Sequence, residues 1–190
     1  MKKIGCVLVA GASVLAVLGS GCQSKPKPLT VVEGERLLLQ DQAQVTISRF
    51  EREANLRPFF ERAVAYAVFP EVTRGGAGIG FSRGEGVVYE GDTLVGYADL
   101  KQATIGAQLG GQTFSELLFF EHEDVLRDFK RGNLELAAGL SAVVIDNGTV
   151  ANNSFRDGVA VFTIDPSGLM LEASVGGQRF DYTPVYTRPE

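Results

Sequence analysis

The chain contains no tryptophan, one histidine (His122) and two cysteines (Cys6 and Cys22). A lone histidine leaves little room for zinc chemistry, because a zinc shell draws most of its ligands from histidine and cysteine. Two cysteines cannot build the disulfide framework of a small secreted domain. Positive charge is also scarce: 18 Lys and Arg stand against 23 Asp and Glu, for a net charge of −5. That balance speaks against nucleic acid as a partner and against general attraction to anionic lipid. Any electrostatic contact with a membrane must then come from a local basic patch. No apolar run reaches the ~20 residues that a membrane-spanning helix needs.

The N-terminus has a different character. Lys2 and Lys3 precede an apolar stretch over residues 4–18, followed by Gly19-Ser20-Gly21 and Cys22. About 15 apolar residues match a signal-peptide core. A cysteine straight after small residues is what lipoprotein processing uses, with the thiol taking a diacylglycerol. The motif departs from the usual lipobox, since Leu18 sits four residues before Cys22 and Gly19 holds the position three before it. Gly19 and Gly21 also satisfy the small-x-small rule for ordinary signal peptidase, which would release a soluble periplasmic protein starting at Cys22. Cys6 leaves with the signal, so Cys22 would be the sole thiol in an oxidising compartment, and acylation accounts for it without a partner. The expected organisation is a signal at 1–21, a lipidated tether at 22–29 and one domain at 30–190. Gln23, in place of a retaining Asp, suggests an outer membrane, with the domain facing the periplasm. The signal takes two lysines with it, leaving 16 basic against 23 acidic residues, a mature charge of −7.

Lys25-Pro26-Lys27-Pro28 reads as an extended tether. Thr30 and Glu33 have capping-box spacing, and Leu39, Ala43, Ile47, Phe50 and Ala54 then recur on one helical face. That face predicts a helix packed on the core; the other reading is an amphipathic helix lying on lipid. A second helix is expected from an Asn55 cap, with Leu56, Phe60, Ala63, Val64 and Ala67 as its buried stripe. Short strands follow at 77–81, 87–89, 94–100, 105–109 and 114–120, punctuated by glycine. A further helix has Glu121, Glu123 and Asp124 at its start and Lys130 and Arg131 before a closing Gly132, a charge order that suits the helix dipole. Strands return at 134–145, 159–164 and 169–175, the last two joined by an Asp165-Pro166-Ser167-Gly168 turn. The expected class is α+β: N-terminal helices on a curved, mainly antiparallel, glycine-rich β-sheet with one inserted helix. The 23 glycines are more than turns alone require, and they suggest bulges or tight sheet curvature.

The chemical motifs are weak when weighed by context. Gly80-Phe81-Ser82-Arg83-Gly84 matches G-x-S-x-G, but a nucleophile elbow needs a helix next, and Glu85-Gly86-Val87-Val88-Tyr89 reads as strand. His122, the only histidine a triad could use, lies among three acids at a helix start. Gly75-Gly76-Ala77-Gly78-Ile79-Gly80 lacks both the spacing and the Lys-Ser/Thr pair of a phosphate loop. No metal site and no cofactor is expected, and the sequence points away from catalysis.

Three stretches, taken in series, resemble the SYLF family. The first is Ala63-Val64-Ala65-Tyr66-Ala67-Val68-Phe69-Pro70-Glu71-Val72, continuing through Arg74-Gly75-Gly76-Ala77-Gly78-Ile79-Gly80 to Arg83-Gly84-Glu85-Gly86. The second is Ala103-Thr104-Ile105-Gly106-Ala107-Gln108-Leu109-Gly110-Gly111-Gln112 with Glu116-Leu117-Leu118-Phe119-Phe120. The third is Gly158-Val159-Ala160-Val161-Phe162 with Gly168-Leu169-Met170-Leu171-Glu172-Ala173-Ser174-Val175-Gly176-Gly177. The resemblance covers roughly residues 56–184. It implies binding to membrane lipids, phosphoinositides in eukaryotic relatives, and no enzymatic activity. Some relatives bind actin; that property is not expected of an acidic, exported bacterial chain. The candidate lipid contacts are Arg74 and Arg83, which flank the glycine cluster, and Arg49 and Arg52 on the first helix. A protein partner in the envelope, with no lipid site, is the alternative.

Overall fold

The computed structural model describes residues 29–136, 145–146, 149–150, 155–165, 168–170 and 177–185. Cys22, the signal and the tether lie outside the described residues, as do 137–144 and 171–175 of the expected strands. Helix α1 (Leu29–Glu51) buries Ala43, Thr46, Ile47 and Phe50, the face expected from the helical spacing. Thr30 lies inside this helix, one residue past its start, so it does not occupy the expected cap position. Two hydrogen bonds help seat the helix on the sheet: Gln40 Nε2 donates to the Tyr97 hydroxyl at 2.7 Å and Gln44 Nε2 to the Tyr89 hydroxyl at 3.0 Å.

The second helix is shorter than expected. Asn55 lies within a 3-10 turn (Ala54–Leu56), and helix α2 (Arg57–Arg62) has Pro58 in its first turn and Phe59 as its buried residue. Beyond it, Ala65, Ala67 and Phe69 go to one core and Val68 to another, a period of two that belongs to a strand.

The largest departure is in the glycine-rich stretch. The five short strands expected there are one hairpin of two long strands, β1 (Ala65–Glu90) and β2 (Thr93–Phe120). Glycine offers the same backbone N–H and C=O as any residue, so the ladder passes through it, with register shifts at Phe69/Val72, Ala77/Ile79 and Val88/Tyr89. Gly91, at φ 55°, supplies the positive φ that the two-residue turn between Glu90 and Thr93 demands. Helix α3 (Glu123–Lys130) follows as expected, with His122 at its N-cap, Leu126 and Phe129 buried, and Gly132 beyond it at φ 71°.

Five of the remaining short strands are β3 (Glu135–Leu136), β4 (Ile145–Asp146), β5 (Thr149–Val150), β6 (Val159–Asp165) and β7 (Gly168–Met170). Strand β8 (Gln178–Pro184), which no expected strand covered, lies between β3 and β2 in the sheet. Strands β4 and β5 pair with each other. The other six form one antiparallel sheet around β2, which pairs with β1 on one side. On its other side, β8 lies along residues 96–102 and β6 along residues 115–120. The class is α+β, and among the described residues the sheet is not closed.

Around residues 117–120 both faces of this sheet are covered, which explains why Leu117-Leu118-Phe119-Phe120 is apolar without alternation. Leu117 and Phe119 join Val68, Val87 and Phe162 under α1 and α2. Leu118 and Phe120 face a second core, with Phe69, Val72, Leu100, Phe180 and Phe129 of α3. In this second core the near part of β1 (65–74) lies against its far part (82–90). A Cβ on Gly86 would sit 2.5 Å from the Phe69 ring, and one on Gly84 would sit 2.9 Å from Val72 Cγ2. Only glycine permits so close an approach.

Candidate functional site

The four arginines singled out by sequence occupy different places. Arg74 is buried, at 4% exposure, and faces the second core. Its Nε donates to Ser82 Oγ at 3.1 Å, its Nη2 is 3.5 Å from Gln102 Oε1, and its guanidinium lies 4.9 Å from the centroid of the Phe114 ring. Burial pushes its pKa down while the Glu116 carboxylate pulls it up. A side chain so enclosed offers little of its surface to a membrane, whereas the expected lipid contact called for an exposed guanidinium. Arg83, the next outward-pointing position after Phe81, is exposed and lines a cavity of about 320 Å³ with Leu39, Gln42, Glu71, Thr73 and Glu85. The two carboxylates beside it weaken any attraction for phosphate. Arg49 and Arg52 are exposed at the end of α1 and just beyond it.

Around Arg74 a polar cluster forms that sequence reasoning did not find as a unit. Ser82, Gln102, Glu116 and Gln178 are all buried. Strand register explains their meeting: Ser82 is the ladder partner of Gln102, and Gln102 of Gln178, so the three lie in a row across β1, β2 and β8. Glu116 comes from the later part of β2, opposite Phe69 on one side and Thr163 on the other. Gln178 Nε2 donates to both of its carboxylate oxygens, at 3.0 and 3.2 Å. Burial drives the Glu116 carboxyl up to about 7, against the opposing pull of Gln178 and Arg74. Gln178 Oε1 is buried without a hydrogen-bond partner.

Ser82 therefore serves as an acceptor for an arginine. The residues of the G-x-S-x-G match lie inside β1, so they form no strand-turn-helix elbow. His122 stands past the other end of β2, exposed, with Nε2 3.8 Å from Glu121 Oε2; Glu121 is also held by Arg62. The motif does not bring the two side chains together.

A different surface carries exposed apolar side chains. Val31, Leu37, Leu38 and Val45 of α1 are exposed, and so are Ile79 and Phe81 of β1, the last at 63%. At roughly 100° per residue, Val31, Leu38 and Val45 fall within about 40° of one another around the helix, and the exposed Glu35, Gln42 and Arg49 lie within about 40° of Val31. No helix among the described residues is long and apolar enough to cross a membrane.

No family model matches the chain. It is similar to beta cell expansion factor A of Aeromonas veronii, with 23% identity over 161 residues. The match covers 80% of this chain and 59% of that protein, so the chain spans less than two thirds of the relative's length.

The missed residues had unequal signals. Glu116 is the one charge in the mostly apolar run over 114–120, where Ser115 is the only other polar residue, the mark of a buried charge that needs partners. Gln102 and Gln178 carried no comparable mark.

Proposed function

We propose that this protein is a non-enzymatic, lipid-binding lipoprotein of the bacterial cell envelope, with a domain of SYLF type on an acylated Cys22. The observation that carries the reading is the exposed row of Val31, Leu38 and Val45 on α1, the first element after the tether. A row of exposed apolar side chains, interrupted by Glu35 and Gln42 and ending at the basic Arg49, suits a helix lying at a lipid interface, with side chains among the acyl chains and guanidinium groups at phosphate level. Arg49 and Arg52 supply that basic end, and Phe81 and Ile79 offer a second apolar contact. Acylation of Cys22 provides retention in the membrane, most simply the outer membrane, with the domain in the periplasm. The domain must supply any lipid selectivity. In this reading the sheet is curved and its glycines serve that curvature, with Gly84 and Gly86 giving close passage where β1 lies against itself.

Liposome flotation of residues 25–190 tests the proposal, using zwitterionic and anionic vesicles in separate arms. Retention by either is the expected result. If neither retains the protein, lipid binding by the domain fails, and the same exposed row becomes the docking face for an envelope protein. Mass spectrometry of the mature N-terminus tests the anchor: an unmodified Cys22 would mean a soluble periplasmic protein.

A further inference from the structure

The polar cluster ties together the near and far parts of the hairpin. Arg74 and Glu116 belong to its near part, Ser82 and Gln102 to its far part, and Gln178 to β8 beside the far part. The hydrogen bonds of Arg74 to Ser82 and Gln102, and of Gln178 to Glu116, all run from one part to the other. These bonds lie at the base of a weakly supported stretch. Strand β8 flanks β2 only as far as Gln102, and β6 begins only at Ser115. Between them, among the described residues, the middle of the hairpin has no third strand beside it. It is there, and not at the turn at Gly91, that the near part folds back over the far part and forms the tip of the doubled hairpin.

Glu116 is the titrating member. Arg74 faces it from β1 and Gln178 from β8; its ladder neighbours Phe69 and Thr163 carry no charge. The carboxyl titrates near 7 in the fold against an ordinary value of 4.5, because burial penalises its charged form. Between those values the folded protein holds a proton that an open, hydrated carboxyl would release. An ionised Glu116 gains water most cheaply by opening the two-stranded tip, where the fewest cross-strand bonds must break.

We propose that the cluster is a proton-operated latch on the hairpin: protonated Glu116 keeps the near and far parts joined, and loss of its proton to solvent loosens the glycine-rich tip that bears Ile79 and Phe81. The latch rests on the lipid-binding reading only for its consequence, that a loosened tip presents these side chains to a bilayer. Its operation is measurable with no lipid present.

Two measurements on the purified full chain decide the matter. Carbon-13 carboxyl NMR should place the Glu116 midpoint near 7, and a midpoint in the ordinary carboxylate range overturns the latch. Amide exchange over residues 75–82 and 103–112, corrected for intrinsic chemistry, should rise on the order of 20-fold between pH 5.5 and pH 8, by proton linkage between carboxyl values of 4.5 and about 7. Equal protection at both values overturns it. Glu116→Gln should remove the pH dependence, and its persistence counts against the latch; if that variant does not fold, the wild-type measurements still decide. Flotation with phosphatidylcholine and phosphatidylglycerol vesicles at both pH values separates the two readings. A tip that loosens without vesicle binding leaves the latch standing and sinks the lipid reading. Binding with a pH-independent tip overturns the latch alone.

Discussion

The space between the near and far parts of the hairpin differs sharply at its two ends. Towards α3 it is filled by rings: Phe129 lies 4.8 Å from Phe120 and 5.1 Å from Phe180, centroid to centroid, and all three are fully buried. Towards the tip the same face carries Arg74, Ser82, Gln102, Glu116 and Gln178, also buried but hydrogen-bonded. Apolar packing is insensitive to pH and gains from every contact. A buried polar cluster contributes little net stability, yet it specifies geometry and responds to protons. The ring-filled end thus holds the fold, and the polar end adjusts it. The sharpest way to break this comparison is to damage the two ends equally and compare the losses.

The largest loss should follow Phe129→Ala, which empties the space between Phe120, Phe180 and Tyr182. Removing a buried phenylalanine costs about 3–5 kcal/mol. Urea denaturation at fixed pH should show that loss with little pH dependence of its own. A loss below that of the polar-cluster variants would reverse the roles assigned to the two ends.

The boundary between the ends comes next. Gly86→Val places methyl groups where the Phe69 ring and the Val68 carbonyl already stand, since even a Cβ there would lie 2.5 Å from the ring. Overpacking of this kind costs about 1–3 kcal/mol. Gly75→Ala is the control, because a Cβ at Gly75 meets nothing within 4 Å. Its effect on the thermal midpoint should be small, within the ~0.5 kcal/mol usual for uncrowded positions. Equal losses in the two variants would mean that glycine is needed for the path of the strand and not for close approach.

Arg74→Met sharpens the polar side. It keeps the bulk over Phe114 but leaves Ser82 and Gln102 without their guanidinium, for a cost of about 1–3 kcal/mol. It should also raise the Glu116 midpoint, because the charge of Arg74 pulls that midpoint down. The sign for stability follows. Glu116 has a folded value above its unfolded one, so its protonated form supports the fold. That support is lost as pH rises from about 4.5 towards 7. Arg74→Met extends the window upward, and a downward shift of the NMR midpoint would show that Arg74 does not act on Glu116 as described.

The apolar cores were far more legible in the sequence than the polar cluster. The buried face of α1 stood out because Ala43, Ile47 and Phe50 recur at helical spacing, and α3 stood out through its order of charges. Phe114, Leu118 and Phe120 could be assigned to a core by composition alone. The length of β1 and β2 could not, because glycine reads as punctuation while its backbone pairs like any other. Strand β8 escaped because one of its inward residues is Gln178, which spoils the apolar alternation that marks a strand. Arg74 was visible as a cation beside a glycine cluster, but its burial depends on a facing strand segment eight or more residues away in sequence. Local pattern does not encode that meeting.

The smallest effect on stability, and the largest on the proposed activity, should come from the opposite side of the molecule. Leu38 and Val45 are exposed on α1 and bury nothing in the fold. Replacing both with Asp should change the unfolding midpoint little, since exposed sites usually contribute within about 0.5 kcal/mol each. The change nevertheless puts two carboxylates into the row that also holds Val31 and Arg49. At a bilayer interface a charge among apolar anchors costs more than the loss of contact alone, so flotation with either vesicle type should fall sharply. Arg49→Ala with Arg52→Ala should weaken binding to anionic vesicles and leave zwitterionic binding nearly intact, because those side chains act on headgroup charge. If the double Asp variant floats as well as wild type, α1 does not face the membrane. Phe81 and Ile79 would then be the remaining apolar contact, and lipid binding would depend wholly on the folded-back middle of the hairpin, the part on which the proposed latch acts.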